Sequence, residues 1–211
     1  WIEFEDPTGE SAALNLATLP RYALASLQYL FLRRGPLTSN AVEAGGLVRT
    51  QPGLDRRDIQ YGFMPARRAP GQFMPRTHGF TLMPILMRPK SRGSMELASA
   101  DPAAKPALHP NFLDHRDDVS AIVRGTQIGR QILAAPAMKK YCGREIAPGA
   151  DRQSFEEIEQ SIRANIMTSY HPVGTCKMAP ASDPGSVVDE RLRVRGLERL
   201  RVIDSSIMPT I

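Results

Sequence analysis

The sequence predicts an α+β fold in which an antiparallel sheet is covered on one face by helices. Segments rich in β-forming residues cluster in the middle of the chain, and two of the three predicted helices follow them. Each predicted helix has a single apolar stripe, which gives it one face to bury against a sheet. The 18 prolines and 16 glycines among 211 residues keep the elements short and the loops long.

The first helix is predicted from about Pro20 to Arg34. Thr18 is placed to cap its N-terminus, a proline suits its first turn, and the Gly35-Pro36 pair ends it. Four residues share one face of this helix and are expected to be the buried ones: Tyr22, Ser26, Tyr29 and Leu30.

The second and third helices follow the middle of the chain. The second begins at Asp114, and acidic residues in its first turn suit the positive end of the helix dipole. It is interrupted by Pro136, and its apolar stripe consists of Val119, Ile122, Val123, Ile132 and Leu133. The third helix opens with a capping box formed by Ser154 and Glu157. Its apolar residues follow at four-residue spacing: Ile158, Ile162 and Ile166.

Strand signals fill the remainder of the chain and are bounded by Gly, Pro or Asp. The predicted strands are Ile59 to Met64, Phe80 to Met87, Ser94 to Ala98, Leu192 to Val194 and Leu200 to Ile203. We expect the three between Ile59 and Ala98 to form one antiparallel sheet, with the first two helices on a single face of it. The last two share a Leu-Arg-Val phrase, which is too short for a repeat unit and indicates two neighbouring strands.

The length and the 42% apolar content suit one domain with a real core, and we interpret residues 1–211 as that domain. No run approaches the ~18–20 apolar residues that cross a bilayer, so no membrane segment is predicted. The chain begins with Trp1 and stops at Ile211 inside an apolar phrase, so we expect it to be cut from a longer protein. Cys142 and Cys176 are too few for a disulfide framework, which predicts reduced thiols in a cytoplasmic protein.

The charge pattern excludes some partners. The net charge is +5, but the Arg-Arg pairs are dispersed and lie mostly in loops. A protein that reads nucleic acid more often carries a basic stripe interleaved with aromatic residues. No nucleic-acid partner is therefore predicted.

The four histidines are the natural candidates for chemistry. No two of them have the three- or four-residue spacing of metal ligands on a helix, so no metal site is predicted. Surface or capping roles are expected for three of them, namely His78, His109 and His115.

His171 has a more informative context. It directly follows the third helix, and Pro172 biases it away from helical geometry, so we expect an abrupt turn that presents the imidazole. Gly174 permits a close backbone approach nearby, and imidazole is the side chain best suited to exchange protons near neutral pH. General acid–base chemistry is one hypothesis, a buried hydrogen-bonded histidine is a second, and a nucleophilic pair of Cys176 with His171 is a third.

Several phrases, in a fixed order, resemble one enzyme family. His171-Pro-Val-Gly-Thr-Cys-Lys-Met is followed by Val187-Val-Asp, Leu192-Arg-Val-Arg-Gly and Leu200-Arg-Val-Ile-Asp-Ser-Ser-Ile-Met-Pro. Upstream lie Gly35-Pro-Leu-Thr-Ser-Asn, Glu43-Ala-Gly-Gly and Arg88-Pro-Lys-Ser-Arg-Gly. Together they resemble the glucose-methanol-choline (GMC) flavoprotein oxidoreductases, in the branch of the choline dehydrogenase-like alcohol dehydrogenases. The resemblance covers nearly the whole chain and implies the substrate-binding domain of such a flavoenzyme.

The resemblance implies a reaction and roles for five residues. A primary alcohol, in some relatives choline-like, is oxidised to an aldehyde by hydride transfer to FAD, and His171 matches the histidine that handles the hydroxyl proton. Tyr170 matches a residue that walls the substrate pocket. Asp204 and Ser205 match the phrase that returns to the flavin, although a helix cap without ligand would also explain them. Glu43 matches an acid that faces the substrate cation in choline-oxidising relatives, or it is a structural carboxylate.

Two departures from the family pattern bear on what this chain can do alone. No G-x-G-x-x-G run of a dinucleotide-binding domain occurs in it, and the second active-site residue of the family would lie beyond Ile211. We therefore expect the FAD-binding domain to be a missing partner, and the chain alone to be inactive and to hold FAD weakly. The alternatives that stay open are a non-catalytic binding module on the same fold and a Cys/His hydrolase.

Overall fold

Seven strands and three α-helices are found in residues 1–68 and 74–211, the part of the chain that the computed structural model describes. The helices are α1 (Leu19–Leu32), α2 (Arg116–Leu133) and α3 (Phe155–Asn165). The strands are β1 (Ile2–Glu5), β2 (Ala44–Val48), β3 (Ile59–Met64), β4 (Gly79–Leu86), β5 (Ser94–Glu96), β6 (Ala107–His109) and β7 (Glu145–Ala147). None of the described helices has the length and apolar character that crossing a bilayer requires.

The chain forms two compact units. The first comprises Trp1–Leu86 and Val119–Asn165, and the second comprises Met87–Asp118 and Ile166–Ile211. The first unit contains a five-stranded sheet in the order β2-β3-β4-β1-β7, and every neighbouring pair in it is antiparallel. The predicted α+β class with an antiparallel sheet is confirmed.

Helix α2 packs closely against this sheet at two glycines. A side chain at Gly125 would press on Ile59, and one at Gly129 would meet Ile2 of β1. The hydroxyl of Tyr61 in β3 donates to the backbone oxygen of Gly125 at 2.5 Å. Because the helix backbone lies this close to the strands, the apolar side chains between them are excluded from water. The largest fully buried apolar residues of the first unit are Ile2, Ile59, Val119, Val123 and Ile158.

The stripe predicted for α2 is confirmed at four positions and wrong at one. The four buried residues are Val119, Ile122, Val123 and Leu133. Ile132 is 44% exposed. At about 100° per residue, the four buried residues lie within about 60° of Val119 around the helix, whereas Ile132 is turned by about 140° from it.

The capping box of α3 is present as predicted. The Ser154 hydroxyl accepts from the Glu157 amide at 3.2 Å, and the Glu157 carboxylate accepts from the Ser154 amide at 2.9 Å. Ile158 is fully buried and Ile162 is half-buried. Ile166 is exposed, contrary to the prediction, because the helix ends at Asn165 and the four-residue spacing no longer applies beyond it.

Helix α1 departs from two predictions. Thr18 stands at the capping position, but its hydroxyl accepts from the Asn15 amide and donates to the Ala13 carbonyl, and its side chain makes no cap bond to the helix. The predicted inner face is also wrong, since the buried residue of α1 is Ala25. Leucines occur all around this helix, so the sequence defines no unique face. The large apolar side chains that remain exposed on it are Leu19, Leu24, Leu27, Tyr29, Leu30, Phe31 and Leu32.

The strand predicted from Ser94 to Ala98 lies outside the five-stranded sheet. In the second unit, β5 pairs only with β6 in an antiparallel two-stranded sheet. The buried Asp118 carboxylate accepts from the amides of Lys90 and Ser91 at 2.8 Å each. These hydrogen bonds hold the segment after β4 in a loop, which separates β5 from the preceding strand.

The two Leu-Arg-Val phrases are neighbours but do not form strands. Arg193 and Arg201 make a single antiparallel bridge, and Val194 makes another with Val188. Leu192 and Arg199 have φ values of 64° and 60°, in the left-handed region. Extended structure cannot continue through such residues, so the pairing stops at isolated bridges.

Asp189 anchors this bridged segment and gives it a testable pH dependence. The buried carboxylate accepts from the amides of Arg193 and Arg191 and from the Arg193 guanidinium. The backbone N–H of Arg193 is the largest cause that lowers the pKa of Asp189 to about 2. A depressed carboxyl pKa stabilises the folded state above the ordinary value of 3.8 and loses that effect as the pH falls towards 2.

We therefore expect Asp189→Asn to lower the midpoint of thermal unfolding at pH 7. The difference from the unsubstituted chain should shrink between pH 4 and pH 2, as the native carboxylate itself becomes protonated. Asp55→Asn is the matched control, because the Asp55 side chain is 96% exposed. A difference that stays constant down to pH 2 would contradict the role given to the Asp189 charge.

Candidate active site

His171 lies in the second unit, six residues beyond Asn165, so it does not directly follow α3 as predicted. The Tyr170 amide donates to the Thr168 hydroxyl at 2.9 Å, and Tyr170 has a φ of 63°. His171 and Pro172 follow, and the imidazole is exposed. The predicted abrupt turn is therefore present, and the alternative of a buried histidine is not what the structure shows.

A second segment holds this turn in place. The amides of Gly174 and Cys176 both donate to the Ser206 carbonyl at 3.0 Å, and the Met178 amide donates to the Ile207 carbonyl at 2.8 Å. The structure thus brings His171 beside the phrase that contains two other predicted site residues. These hydrogen bonds are made by backbone carbonyls, which every residue has. The sequence therefore could not indicate that Ser206 and Ile207 hold this turn.

Asp204 and Ser205 form the start of a short 3-10 helix, Ser205–Ile207. The Asp204 carboxylate accepts from the Ser206 amide at 2.8 Å, which is the capping role considered above. Hydrogen bonds from the Ser206 hydroxyl and amide lower the pKa of Asp204. The hydrogen bond between Asp204 and Ser206 orders the segment on which the His171 turn rests.

The two predicted substrate-binding residues lie in different units. Tyr170 adjoins His171 and is 73% exposed. Glu43 belongs to the first unit, where its side chain is exposed just before β2 and its amide donates to the Phe63 carbonyl at 3.0 Å. The backbone role of Glu43 leaves its carboxylate available.

The other candidate groups carry less chemistry. Both cysteines are free thiols. Burial raises the pKa of Cys142, which was not a candidate nucleophile, and Cys176, the proposed partner of His171, is half-buried. Within the described residues no cluster of His, Cys, Asp and Glu could hold a metal ion.

His109 is exposed, and His115 accepts from the Asp117 amide at the start of α2, so both fit the surface and capping roles. His78 is half-buried, with Nδ1 2.8 Å from the Ser11 carbonyl oxygen.

The arrangement around His171 can be compared with known proteins. Residues 89–211 match the family model described as GMC oxidoreductase, which is more than half of the chain and includes His171 and Asp204. The chain belongs to the GMC oxidoreductase family. FAD-dependent oxidation is the reaction class of this family, so the resemblance recognised in the sequence is confirmed.

Two curated GMC relatives show how much of such a protein the chain represents. The alcohol dehydrogenase (acceptor) of Pseudomonas putida is 43% identical over 194 residues, which make up 92% of this chain and 35% of the relative. The oxygen-dependent choline dehydrogenase of Brucella anthropi is 41% identical over 185 residues, 87% of this chain and 34% of the relative. The chain therefore spans about a third of the length of these relatives.

The fold agrees with a solved structure of the same class. A variant of the formate oxidase of Aspergillus oryzae RIB40, examined for modification of its FAD, superposes with a TM-score of 0.83. The match covers all of this chain and 41% of that one, at 22% identity. At this identity the likeness concerns the fold alone.

Proposed function

We propose that this chain is the substrate-binding and proton-transferring part of an FAD-dependent oxidoreductase. Its substrate would be a primary alcohol, with choline-like alcohols as the first candidates, and its product the aldehyde. The observation that carries the proposal is the exposed imidazole of His171 on a turn anchored to the Ser205–Ile207 helix. An exposed, titratable group on a rigid support is what acid–base catalysis requires.

The proposed role of His171 is to accept the proton of the substrate hydroxyl. As the hydroxyl loses its proton, a carbonyl forms and the carbon gives up a hydride, so the proton and the electron pair leave by separate routes. FAD, when bound, supplies the acceptor for that hydride. His171 receives only the proton, and it returns that proton to water after the aldehyde leaves.

Tyr170 and the residues near the Ser205–Ile207 helix would suit a bound flavin. Tyr170, Ile203 and Met208 are 73%, 75% and 44% exposed, which is apolar surface that a flat aromatic ring could cover. Gly174 has a φ of 92°, and a Cβ there would stand 3.5 Å from the Met208 carbonyl oxygen. Glycine suits this position because it adopts a positive φ without strain. Asp204 and Ser205 would hold the Ser205–Ile207 helix in place beside the flavin.

Substrate recognition is assigned to two residues. Tyr170 would wall the pocket with its ring, next to the imidazole that receives the proton. Glu43 would face the cation of a choline-like alcohol, because an exposed carboxylate attracts a quaternary ammonium group. An alcohol without a positive charge would gain nothing from Glu43.

The absorbance spectrum of the full-length protein tests this function. We expect a flavin spectrum that bleaches when a primary alcohol is added without oxygen, and choline should bleach it at a lower concentration than an uncharged alcohol of similar size. Glu43→Gln should remove that preference for choline. A full-length protein that never carries flavin would instead support the non-catalytic binding module.

We expect residues 1–211 alone to hold FAD weakly. Most contacts to a dinucleotide come from a strand, Gly-rich turn and helix unit that this sequence lacks. The Ser206 amide near the proposed flavin segment is already bonded to Asp204, so it has little to offer a phosphate. Titration with FAD, followed by flavin fluorescence, should give no saturation at micromolar concentrations. Stoichiometric yellow flavin in the purified chain would contradict this expectation.

A further inference from the structure

The turn that carries His171 is restrained from both sides, by different kinds of bond. After His171, the amides of Gly174 and Cys176 bond to the Ser206 carbonyl at 3.0 Å each. Before His171, the Tyr170 amide bonds to the Thr168 hydroxyl at 2.9 Å. The first set is made by backbone atoms and survives any side-chain change, whereas the second depends on the side chain of one residue.

Tyr170 is the part of the turn that most needs such a bond. Its φ of 63° lies in the left-handed region, which crowds any residue with a Cβ. An acceptor two residues earlier is the usual way in which Ser and Thr stabilise a tight turn. Without the acceptor, Tyr170 would relax towards ordinary backbone angles.

Relaxation at Tyr170 would move the imidazole as a whole. Pro172 restricts the backbone of His171, so this residue has little freedom to compensate for a rotation in front of it. A proton acceptor has to lie within hydrogen-bond reach of the hydroxyl, and a displacement of ~1 Å can already slow the reaction markedly.

We propose that Thr168 is a positioning residue: its hydroxyl oxygen holds the left-handed turn at Tyr170 and thereby aims His171 at the substrate. The inference rests on the proposed function, because it requires a catalytic imidazole to position. Thr168 is half-buried and needs no contact with substrate or flavin for this role. Its loss should therefore act on turnover more than on substrate affinity.

The test compares two substitutions of Thr168 in the full-length, flavin-loaded enzyme. Thr168→Val keeps the shape and removes the acceptor, and it should lower kcat by about 10-fold, equivalent to ~1.4 kcal/mol, with KM nearly unchanged. Thr168→Ser restores the acceptor and should bring kcat back to within about twofold of the unsubstituted enzyme. Hydrogen exchange at the Tyr170 amide should speed up in Thr168→Val and return to normal in Thr168→Ser.

Two controls separate this inference from the proposed function. Ser169→Ala removes an exposed hydroxyl one residue away and should leave kcat unchanged. If Thr168→Val does not retain flavin, Thr168→Ala is measured in its place. An inactive His171→Gln enzyme beside a fully active Thr168→Val enzyme, or equal losses in Thr168→Val and Thr168→Ser, would overturn the positioning role alone. A fully active His171→Gln enzyme would overturn both.

Discussion

Replacement of His171 by Gln in the full-length enzyme should lower turnover by ~10²–10⁴-fold, the usual contribution of a positioned acid–base group. Gln keeps most of the volume and some hydrogen bonding, but it cannot accept the hydroxyl proton. The flavin should stay bound, because the exposed ring of His171 is assigned to the substrate. Steady-state kinetics on enzyme with confirmed flavin content measures the effect, and KM should change much less than kcat.

His109→Gln is the matched control for that substitution. His109 lies in the same unit, its side chain is exposed in β6, and it has no proposed part in the reaction. It should behave like the unsubstituted enzyme. Wild-type turnover in His171→Gln would show that the assignment of the acid–base group is wrong.

The second large effect concerns stability. Ile59 is fully buried in β3, where the backbone of Gly125 in α2 lies against its side chain. Ile59→Ala would leave a cavity between helix and sheet, because close packing of the helix backbone limits how far the two can collapse. We expect the free energy of unfolding to fall by ~2–5 kcal/mol. Urea unfolding followed by circular dichroism measures it.

Ile132→Ala is the control for Ile59→Ala, because it makes the same substitution at an exposed isoleucine. Ile132 is 44% exposed on α2, and Ala is the better helix former, so the free energy of unfolding should change by less than ~0.5 kcal/mol. A cost as large as that of Ile59→Ala would mean that Ile132 is buried, as the apolar stripe predicted for the second helix implied.

Local sequence signals predicted some elements well and missed others for a physical reason. The bounds of β3 agree with the prediction residue for residue, because an apolar, aromatic-containing run between polar segments has few alternatives. Strand β2 has the sequence Ala-Gly-Gly-Leu-Val, whose glycines disfavour strand structure, and it exists because it pairs with β3. Strand β7 is three residues at the sheet edge, and its pairing with β1 joins segments far apart in sequence.

The candidate site also contains features that the sequence could predict and features that it could not. The turn at His171 could be predicted, since Pro172 is a local signal, although α3 ends at Asn165, earlier than predicted. The hydrogen bonds that support this turn could not be predicted, because Ser206 accepts them with a backbone carbonyl more than thirty residues beyond His171. Thr168 had a usable signal, a hydroxyl two residues before a strained position, although the strain itself is known only from the structure.

The exposed leucines of α1 govern the colloidal behaviour of the isolated chain. In this chain the helix presents Leu24, Leu27, Leu30 and Phe31 to water, and apolar surface of that kind favours association between molecules. Salts that strengthen hydrophobic contacts, such as ammonium sulfate, would promote precipitation. A dilute buffer without such salts suits handling of residues 1–211, even though the net charge of +5 by itself favours solubility.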